Sequence, residues 1–181
     1  MGDTYITSAY QSFNSRRKET TMKKVILIMA TITSMFANAA LLDRTVEFIA
    51  AEENFSPTVY SCASGVRTIG YGFTDPALVT KGKITKTEAT KILRARVQSD
   101  LEWVSSKLPH LTNNQKLAVT SLVYNIGRTR FIRSKAYKCL SEGKMLRALA
   151  EMAEFRLTDG KVSKGLVARR AREKAIFVSI S

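Results

Sequence analysis

Glu53 is the residue whose position most directly suggests chemistry. The apolar residues Leu42, Val46 and Ile49 recur at helical spacing, and Glu53 continues that series four positions after Ile49. The carboxyl group is therefore expected at the end of a helix, on the face that turns toward the core. Burial disfavours an ionised carboxylate and raises its pKa, which suits a general acid near neutral pH. An ion pair with an arginine, or a solvent position beside Glu52, is equally compatible with this spacing.

Sulfur and imidazole groups are scarce. The chain has two cysteines, Cys62 and Cys139, and a single histidine, His110. These are too few for a disulfide scaffold and lack the spacing of a zinc site, so we expect no metal and no cofactor. A cysteine peptidase that pairs Cys62 with His110 is an alternative. It is weakened because His110 follows Pro109 in a predicted turn and no third, orienting group is evident.

The net charge of +14 indicates a polyanionic partner. Nucleic acid, an anionic membrane face and the bacterial envelope all fit, because charge supplies attraction but no chemistry. Two groups of basic residues stand out, and either could also be a solvated helix face: Lys164, Arg169, Arg170, Arg172 and Lys174, and farther upstream Arg128, Arg130 and Arg133. Sparse aromatic residues and the export segment described next argue against nucleic acid, so we predict attraction to the anionic envelope surface.

The N-terminal region predicts the compartment. A short basic stretch, 22–24, precedes an uncharged run from Val25 to Leu42, and 37–39 has the small-x-small pattern of a cleavage site. Residues 22–39 are therefore predicted to be a signal peptide or a releasable inner-membrane anchor, because the run is just long enough to span a bilayer. A buried core helix is the alternative, but no polar face interrupts the run. Residues 1–21 are interpreted as an upstream extension or a long n-region, and 40–181 as a domain exported to the periplasm or secreted.

The elements that would position these groups are mostly helical. Pro57 is expected to end the first helix, and two strands, Thr58–Ser61 and Val66–Tyr71, form a hairpin across 63–65. Everything after the hairpin is expected to be helix. The signals are capping boxes at 85–88 and 112–115, a stripe at Leu93, Val97, Leu101, Val104 and Leu108, a third amphipathic segment through Leu146, Leu149, Ala150 and Ala153, and a last helix from Lys164 to Phe177. The fold class is α+β, with a small hairpin lobe and a helical lobe joined by a long helix.

Three segments in order resemble one known family. Their sequences are Glu53-(x)8-Cys62-(x)5-Thr68-Ile69-Gly70-Tyr71-Gly72, Leu122-Val123-Tyr124-Asn125-Ile126-Gly127, and Gly165-Leu166-Val167-Ala168-Arg169-Arg170-(x)2-Glu173-(x)3-Phe177. They are similar to the active-site segment, the helix end at the cleft and the C-terminal signature of the phage-type lysozymes, glycoside hydrolase family 24. The resemblance covers Leu42 to Phe177.

The resemblance implies a lysozyme-like fold for 40–181 and an endolysin that hydrolyses β-1,4 bonds between N-acetylmuramic acid and N-acetylglucosamine in peptidoglycan. It implies that Glu53 is the general acid and that Thr68 helps to orient the attacking water. Tyr71, Asn125, Arg169 and Arg170 would be substrate-binding residues, with one of the two arginines lining the cleft. We expect a monomer that acts on peptidoglycan and does not bind nucleic acid.

Cys62 is the departure from the family pattern, which has aspartate nine positions after the glutamate. Two carboxylates normally divide the work of acid and water-activating base. Cys62 is open to three interpretations: a catalytic thiolate, a redox switch, or loss of the second group in a weakened enzyme. The family places the region of Cys139 well away from the hairpin, so a bridge between the two cysteines is not expected, and Cys139 is interpreted as a small core residue.

Overall fold

The computed structural model describes residues 3–61 and 65–180, with 3–21 and Val25 described by their backbone alone. The chain divides into two compact units, Met1–Ala40 and Leu41–Ser181. Helix α1, Asp3–Glu53, supplies the described part of the first unit and the first element of the second. The domain boundaries expected at residues 21 and 39 remain predictions.

The first unit contains the uncharged run found in the sequence. The described side chains between Met22 and Ala40 are exposed, among them Ile26, Leu27 and Phe36. The stretch Met22–Glu53 is long and apolar enough to cross a membrane by length and composition, with a mean hydropathy of 2.1 in its most apolar window. A signal sequence near an N-terminus has the same properties, so the choice between signal peptide and releasable anchor also remains a prediction.

The second unit contains seven further helices and two small antiparallel hairpins among its described residues. They are β1 (Ser56–Ser61), β2 (Arg67–Gly70), α2 (Pro76–Lys81), α3 (Lys86–Lys107), α4 (Asn113–Ile126), α5 (Arg128–Ile132), α6 (Lys135–Ser141), α7 (Met145–Ala153), β3 (Leu157–Thr158), β4 (Lys161–Val162) and α8 (Lys164–Val178). The predicted fold class, α+β and mostly helical with a small hairpin lobe, is confirmed.

The first hairpin lies where the sequence predicts it. Strand β1 pairs antiparallel with β2, so that Tyr60 is opposite Thr68. Pro57 does not end the helix as expected, because α1 already stops at Glu53 and Pro57 lies within β1. The chain leaves the helix through Asn54, whose φ of 54° is left-handed and therefore ends the helical hydrogen-bonding pattern.

The helix starts follow from local capping. Thr85 and Glu88 form a complete capping box at the start of α3, and Thr112 and Gln115 form another at the start of α4. The predicted apolar stripe of α3 is buried along its whole length. Helix α3 ends at Lys107, two residues before a proline that cannot continue it.

Two expectations about the C-terminal half are wrong. The region after the first hairpin is not entirely helical, because the β3–β4 hairpin turns through Asp159 and Gly160, both with positive φ. In α7 the buried face is Ala148, Leu149 and Met152, whereas Leu146 is 85% exposed. A short helix has few apolar positions, and of the predicted stripe Leu149 is the one residue that the structure buries.

Two clusters of buried apolar side chains hold the second unit together. The hairpin-side cluster includes Ile49, Ile69, Phe73 and Leu93, and the helical cluster includes Leu122, Phe131, Leu140 and Phe177. Helix α3 contributes Leu93 and Val97 to the first cluster and Val104 to the second, and Leu108, directly after the helix, joins the second as well. One long helix therefore fixes the hairpin and the end of α1 relative to the C-terminal helices.

Candidate active site

Glu53 is the last residue of α1, and its side chain is 18% exposed. The fully buried Ile49, one turn earlier, anchors this face of the helix in the hairpin-side cluster. Glu53 Oε1 accepts a hydrogen bond from Arg169 Nη1 over 2.6 Å. Of the positions that the sequence left open, the structure therefore shows an ion-paired carboxylate near the end of a core-facing helix.

Gly72 leaves room for the other oxygen of this carboxylate. Its φ of 78° is left-handed, and a Cβ built on it would lie 3.2 Å from Glu53 Oε2. Glycine is thus favoured here on two grounds, the backbone conformation and the close approach of the acid. The turn after β2 brings the main chain, rather than a side chain, against Glu53.

Arg169 is itself held on several sides. The residue is 4% exposed, its Nη2 donates to the carbonyl oxygen of Ser121 over 3.1 Å and to the Ser121 hydroxyl over 3.2 Å, and its Nε donates to Glu173 Oε1 over 3.3 Å. Helices α4 and α8 pack closely, and these bonds fix the guanidinium between them. Arg169 therefore presents one nitrogen to Glu53 with little freedom to move.

Arg170 points toward the end of α4. Its Nη1 donates to Asn125 Oδ1 over 3.1 Å and to the carbonyl oxygen of Phe155 over 3.3 Å, and its Nη2 donates to Glu173 Oε1 over 2.7 Å. Burial lowers the pKa of Arg170, while the Glu173 carboxylate opposes that effect. Arg170 thus fixes the side chain of the partly exposed Asn125.

Glu173 links the two arginines, a role that the sequence analysis missed. It appeared there only as a letter of the C-terminal signature. Its spacing from Arg169 (i+4) and Arg170 (i+3) on one helix was the available signal, because residues so spaced are neighbours on a helical surface. Burial raises the pKa of Glu173, against the lowering effect of the two arginines and of the Ser121 hydroxyl.

A second ion pair lies beside this cluster. Glu52 accepts two hydrogen bonds from Arg172, over 2.6 and 2.7 Å. The Arg172 guanidinium lowers the pKa of Glu52. The pair joins the end of α1 to α8 independently of Glu53, and sequence reasoning gave no sign of it because the two residues are 120 positions apart.

Thr68 and Tyr71 lie on and just after β2. Thr68 is buried, and its Oγ1 donates to the carbonyl oxygen of Val66 over 3.1 Å. The Tyr71 ring is 5% exposed and packs against Phe55 and Phe73. The roles expected for Thr68 and Tyr71 both remain predictions.

Tyr124 connects the hairpin to α4. Its hydroxyl donates to the carbonyl oxygen of Tyr71 over 3.0 Å. Burial raises the pKa of Tyr124, and the negative charge of Glu53 raises it further. In the sequence Tyr124 is only part of a motif, and the structure joins its phenol to the main chain of the hairpin, within the electrostatic influence of Glu53.

The structure therefore joins four of the predicted site residues through hydrogen bonds: Glu53, Asn125, Arg169 and Arg170. Cys62 lies outside the described residues. Cys139 is buried in α6, and His110 Nε2 lies 2.9 Å from the carbonyl oxygen of Leu140, an arrangement typical of a structural histidine. Among the side chains that the structure describes, no group of three or more His, Cys, Asp or Glu could hold a metal ion.

Comparison with known proteins places this arrangement in a family. Residues 50–173 match the family model for phage lysozyme. The chain belongs to the phage lysozyme family, which confirms the resemblance inferred from the three motifs. The matched segment begins three residues before Glu53 and ends at Glu173, so it contains the hydrogen-bonded group of Glu53, Asn125, Arg169, Arg170 and Glu173.

Similar proteins include endolysins and a muramidase domain. The endolysin of Bacillus phage PZA is 38% identical over 113 residues, which are 62% of this chain but only 44% of that protein. The SAR-endolysin of Escherichia phage Mu is 31% identical over 130 residues, covering 69% and 73% of the two chains. The muramidase domain of SpmX from Asticaccaulis excentricus superposes with a TM-score of 0.66 at 30% identity, covering 76% of this chain and 96% of that domain.

Proposed function

We propose that the protein is an endolysin that hydrolyses the β-1,4 bond between N-acetylmuramic acid and N-acetylglucosamine in peptidoglycan and so lyses bacterial cells. The observation that carries the proposal is the position of Glu53, a largely buried carboxyl group at a helix end, held by Arg169 inside the segment that matches the phage lysozyme family. Relatives named as endolysins and a structural neighbour named as a muramidase support this activity.

The proposed step begins with Glu53 as general acid. Glu53 donates its proton to the glycosidic oxygen, which leaves with N-acetylglucosamine as its bond to C1 of N-acetylmuramic acid breaks. Arg169, 2.6 Å away, then stabilises the carboxylate that remains. A water molecule attacks C1 and gives its proton to a second group. Thr68 would orient this water, and Asn125, Arg170 and Tyr71 would help to bind the sugar chain.

Cys62 is the proposed second group. Its thiolate takes the proton of the attacking water in the position where the family pattern has an aspartate. Oxidation of this thiol would remove its ability to accept the proton, so the alternative of a redox switch acts through the same atom. The third interpretation, a weakened enzyme, differs because the thiol would then take no part in the reaction.

The N-terminal run and the net charge suggest where the protein acts. The run at 22–39 and the relative named as a SAR-endolysin support export to the periplasm through a signal peptide or a membrane-tethered precursor. A net charge of +14 would hold the released monomer near the anionic envelope.

The decisive experiment is Glu53→Gln in the full chain, assayed with chloroform-treated Gram-negative cells and with purified peptidoglycan. We expect the loss of turbidity clearing and of new reducing ends by at least about 100-fold, the range for loss of a general acid. Glu52→Gln is the matched control, because it removes an equal charge and an ion pair one position away. If Glu53→Gln kept the activity of the parent, or if purified peptidoglycan yielded new amino groups in place of reducing ends, the proposed function would be wrong.

The role of Cys62 is tested by paired substitutions. Cys62→Ser should lower the rate of peptidoglycan hydrolysis by about 100-fold, since a serine hydroxyl is a poor proton acceptor, whereas Cys62→Asp should preserve or raise the rate. Reducing-end release at pH 7 measures both, with Cys139→Ala as the control for loss of a thiol. Equal rates for Cys62→Ser and the parent would show that the thiol has no catalytic part.

A further inference from the structure

The Glu173 carboxylate uses its two oxygens very unequally. Oε1 accepts hydrogen bonds from Arg170 over 2.7 Å, from the Ser121 hydroxyl over 2.7 Å and from Arg169 over 3.3 Å. Oε2 is buried and has no hydrogen-bond partner among the described residues. Glu173 has a relative exposure of 0%, so every charge it meets belongs to the protein.

The charged groups nearest Glu173 come from helices α8 and α1, and helix α3 adds Arg96 and Asp100, which act electrostatically on Tyr124 together with Glu53. Helix α8 supplies Arg169 and Arg170 and, farther out, Arg172; helix α1 supplies Glu53 and Glu52; helix α4 supplies the neutral Ser121, Tyr124 and Asn125. The Glu52–Arg172 pair is balanced within itself. The inner group is then two arginines facing two carboxylates, and Arg169 alone contacts both Glu53 and Glu173.

Fold stability does not explain this carboxylate well. Two charges buried together often stabilise a protein no more than apolar side chains of the same volume would, because desolvation offsets their attraction. An oxygen without a partner adds a further cost. A local arrangement that is unfavourable for folding is expected where it serves the site. Here that site contains Glu53, which is connected to Glu173 by two successive hydrogen bonds through Arg169.

We propose that Glu173 is a positioning residue that shares the charge of Arg169 with Glu53, so that Glu53 can hold a proton while the guanidinium stays against it. The inference rests on the proposed role of Glu53 as general acid. In general, a positive charge in contact with a carboxyl group favours its ionised form over the acid that must donate the proton, and Arg169 Nη1 lies 2.6 Å from Glu53 Oε1. Glu173 supplies the opposing negative charge, and it also fixes Arg170, which orients Asn125.

Loss of the Glu173 charge therefore has a defined consequence. Glu53 would then be the remaining carboxylate beside two buried arginines, only one of which, Arg169, contacts it, and the inner group would carry a net positive charge. A net positive charge beside a general acid disfavours the protonated form that the reaction needs, so the alkaline side of the pH–rate profile would move toward acid. A residue with a merely structural role would lower the rate at every pH and leave the shape of the profile unchanged.

The test is Glu173→Gln, which keeps the size of the side chain. We measure kcat against pH with purified peptidoglycan fragments. The alkaline side of the profile should lie about 1 pH unit lower than in the parent. At pH values above this side, kcat should fall approximately tenfold, whereas at acidic pH it should change little. An unmoved profile with a uniform loss would overturn the proposal.

Two controls separate charge from packing. Arg172→Gln breaks a similar tie between α1 and α8 but removes a positive charge, so its profile should not move toward acid. Ser121→Ala removes hydrogen bonds to Glu173 and Arg169 but leaves both charged side chains in place, so its profile should move less than that of Glu173→Gln. A shift in Ser121→Ala equal to that in Glu173→Gln would contradict the charge-sharing role.

If Glu173→Gln fails to fold, the double variant Glu173→Gln with Arg170→Met decides the question. It removes one charge of each sign and leaves Arg169 against Glu53 with no competing carboxylate, but without the second arginine. Its profile is compared with that of Arg170→Met and should lie at lower pH, because only the Glu173 charge differs between these two variants. Equal profiles for the two variants would overturn the proposal, because Glu173 would then have no influence on Glu53 through Arg169.

A readout that does not need muramidase activity keeps this inference separate from the proposed function. The carboxyl ¹³C signal of Glu53 in glutamate-labelled protein is identified by its loss in Glu53→Gln. It should respond to pH at a lower pH in Glu173→Gln than in the parent. If the parent failed to cleave peptidoglycan but this displacement occurred, the proposed function would fail and the charge sharing would stand.

Discussion

Glu173 and Glu88 accept similar numbers of hydrogen bonds, yet their pKa values are shifted in opposite directions. Glu88 accepts bonds from Lys81 over 2.8 Å and from the main-chain and hydroxyl groups of Thr85 over 3.1 and 3.0 Å. These bonds lower the pKa of Glu88 to about 2. Glu173 accepts three bonds as well, two of them from arginines, yet burial raises its pKa.

The difference indicates that burial, and not the number of donors, decides the direction in which the pKa of each carboxyl group moves. Glu88 stands at the exposed start of α3, where water still solvates its carboxylate and each donor adds to that solvation. Glu173 has exchanged water for a few fixed donors, all on one oxygen. The first arrangement caps a helix, and the second sets the electrostatics of a site.

Arg170→Met is expected to have the largest effect on stability. The substitution leaves Glu173 with a single cation and frees Asn125, and the loss of one partner from a buried ion pair typically costs about 3–5 kcal/mol. Urea denaturation of the full chain measures the change in the free energy of unfolding. Lys81→Met is the matched control, because it removes the cation from the exposed Glu88. Similar losses in the two variants would show that burial does not separate the regions.

The sequence was sufficient where short-range patterns determine structure. The capping boxes at Thr85 and Thr112 depend on residues three positions apart, and the burial of Leu93 and Val97 follows from helical periodicity. Glu53 was placed correctly on the core-facing side of its helix for the same reason. Local patterns therefore predicted the helices of the site and the position of the acid.

The sequence was insufficient where the partner lies far along the chain. Arg169 is 116 residues from Glu53, and nothing in the local pattern shows which of two adjacent arginines turns toward the acid. The β3–β4 hairpin was missed although Asp159-Gly160 is a strong turn signal, because strands of two residues are too short to show alternation. The link through Glu173 needed both the spacing within α8 and the packing of α8 on α4.

Acid titration sharpens the comparison with the smallest expected effect. Because the pKa of Glu88 is lowered from 4.5 to about 2, its ionised form stabilises the fold fully above pH 4.5, and this contribution is lost as the pH falls toward 2. The thermal midpoint of the parent should therefore fall slightly more steeply between pH 4.5 and 2.5 than that of Glu88→Gln. The difference should be no more than about 2 °C and should shrink in high salt, because the group is exposed. A larger difference that resisted salt would mean that the Glu88 carboxylate behaves like a buried group. The opposite pKa shifts of Glu88 and Glu173 would then have to come from the arrangement of their hydrogen-bond donors and not from burial.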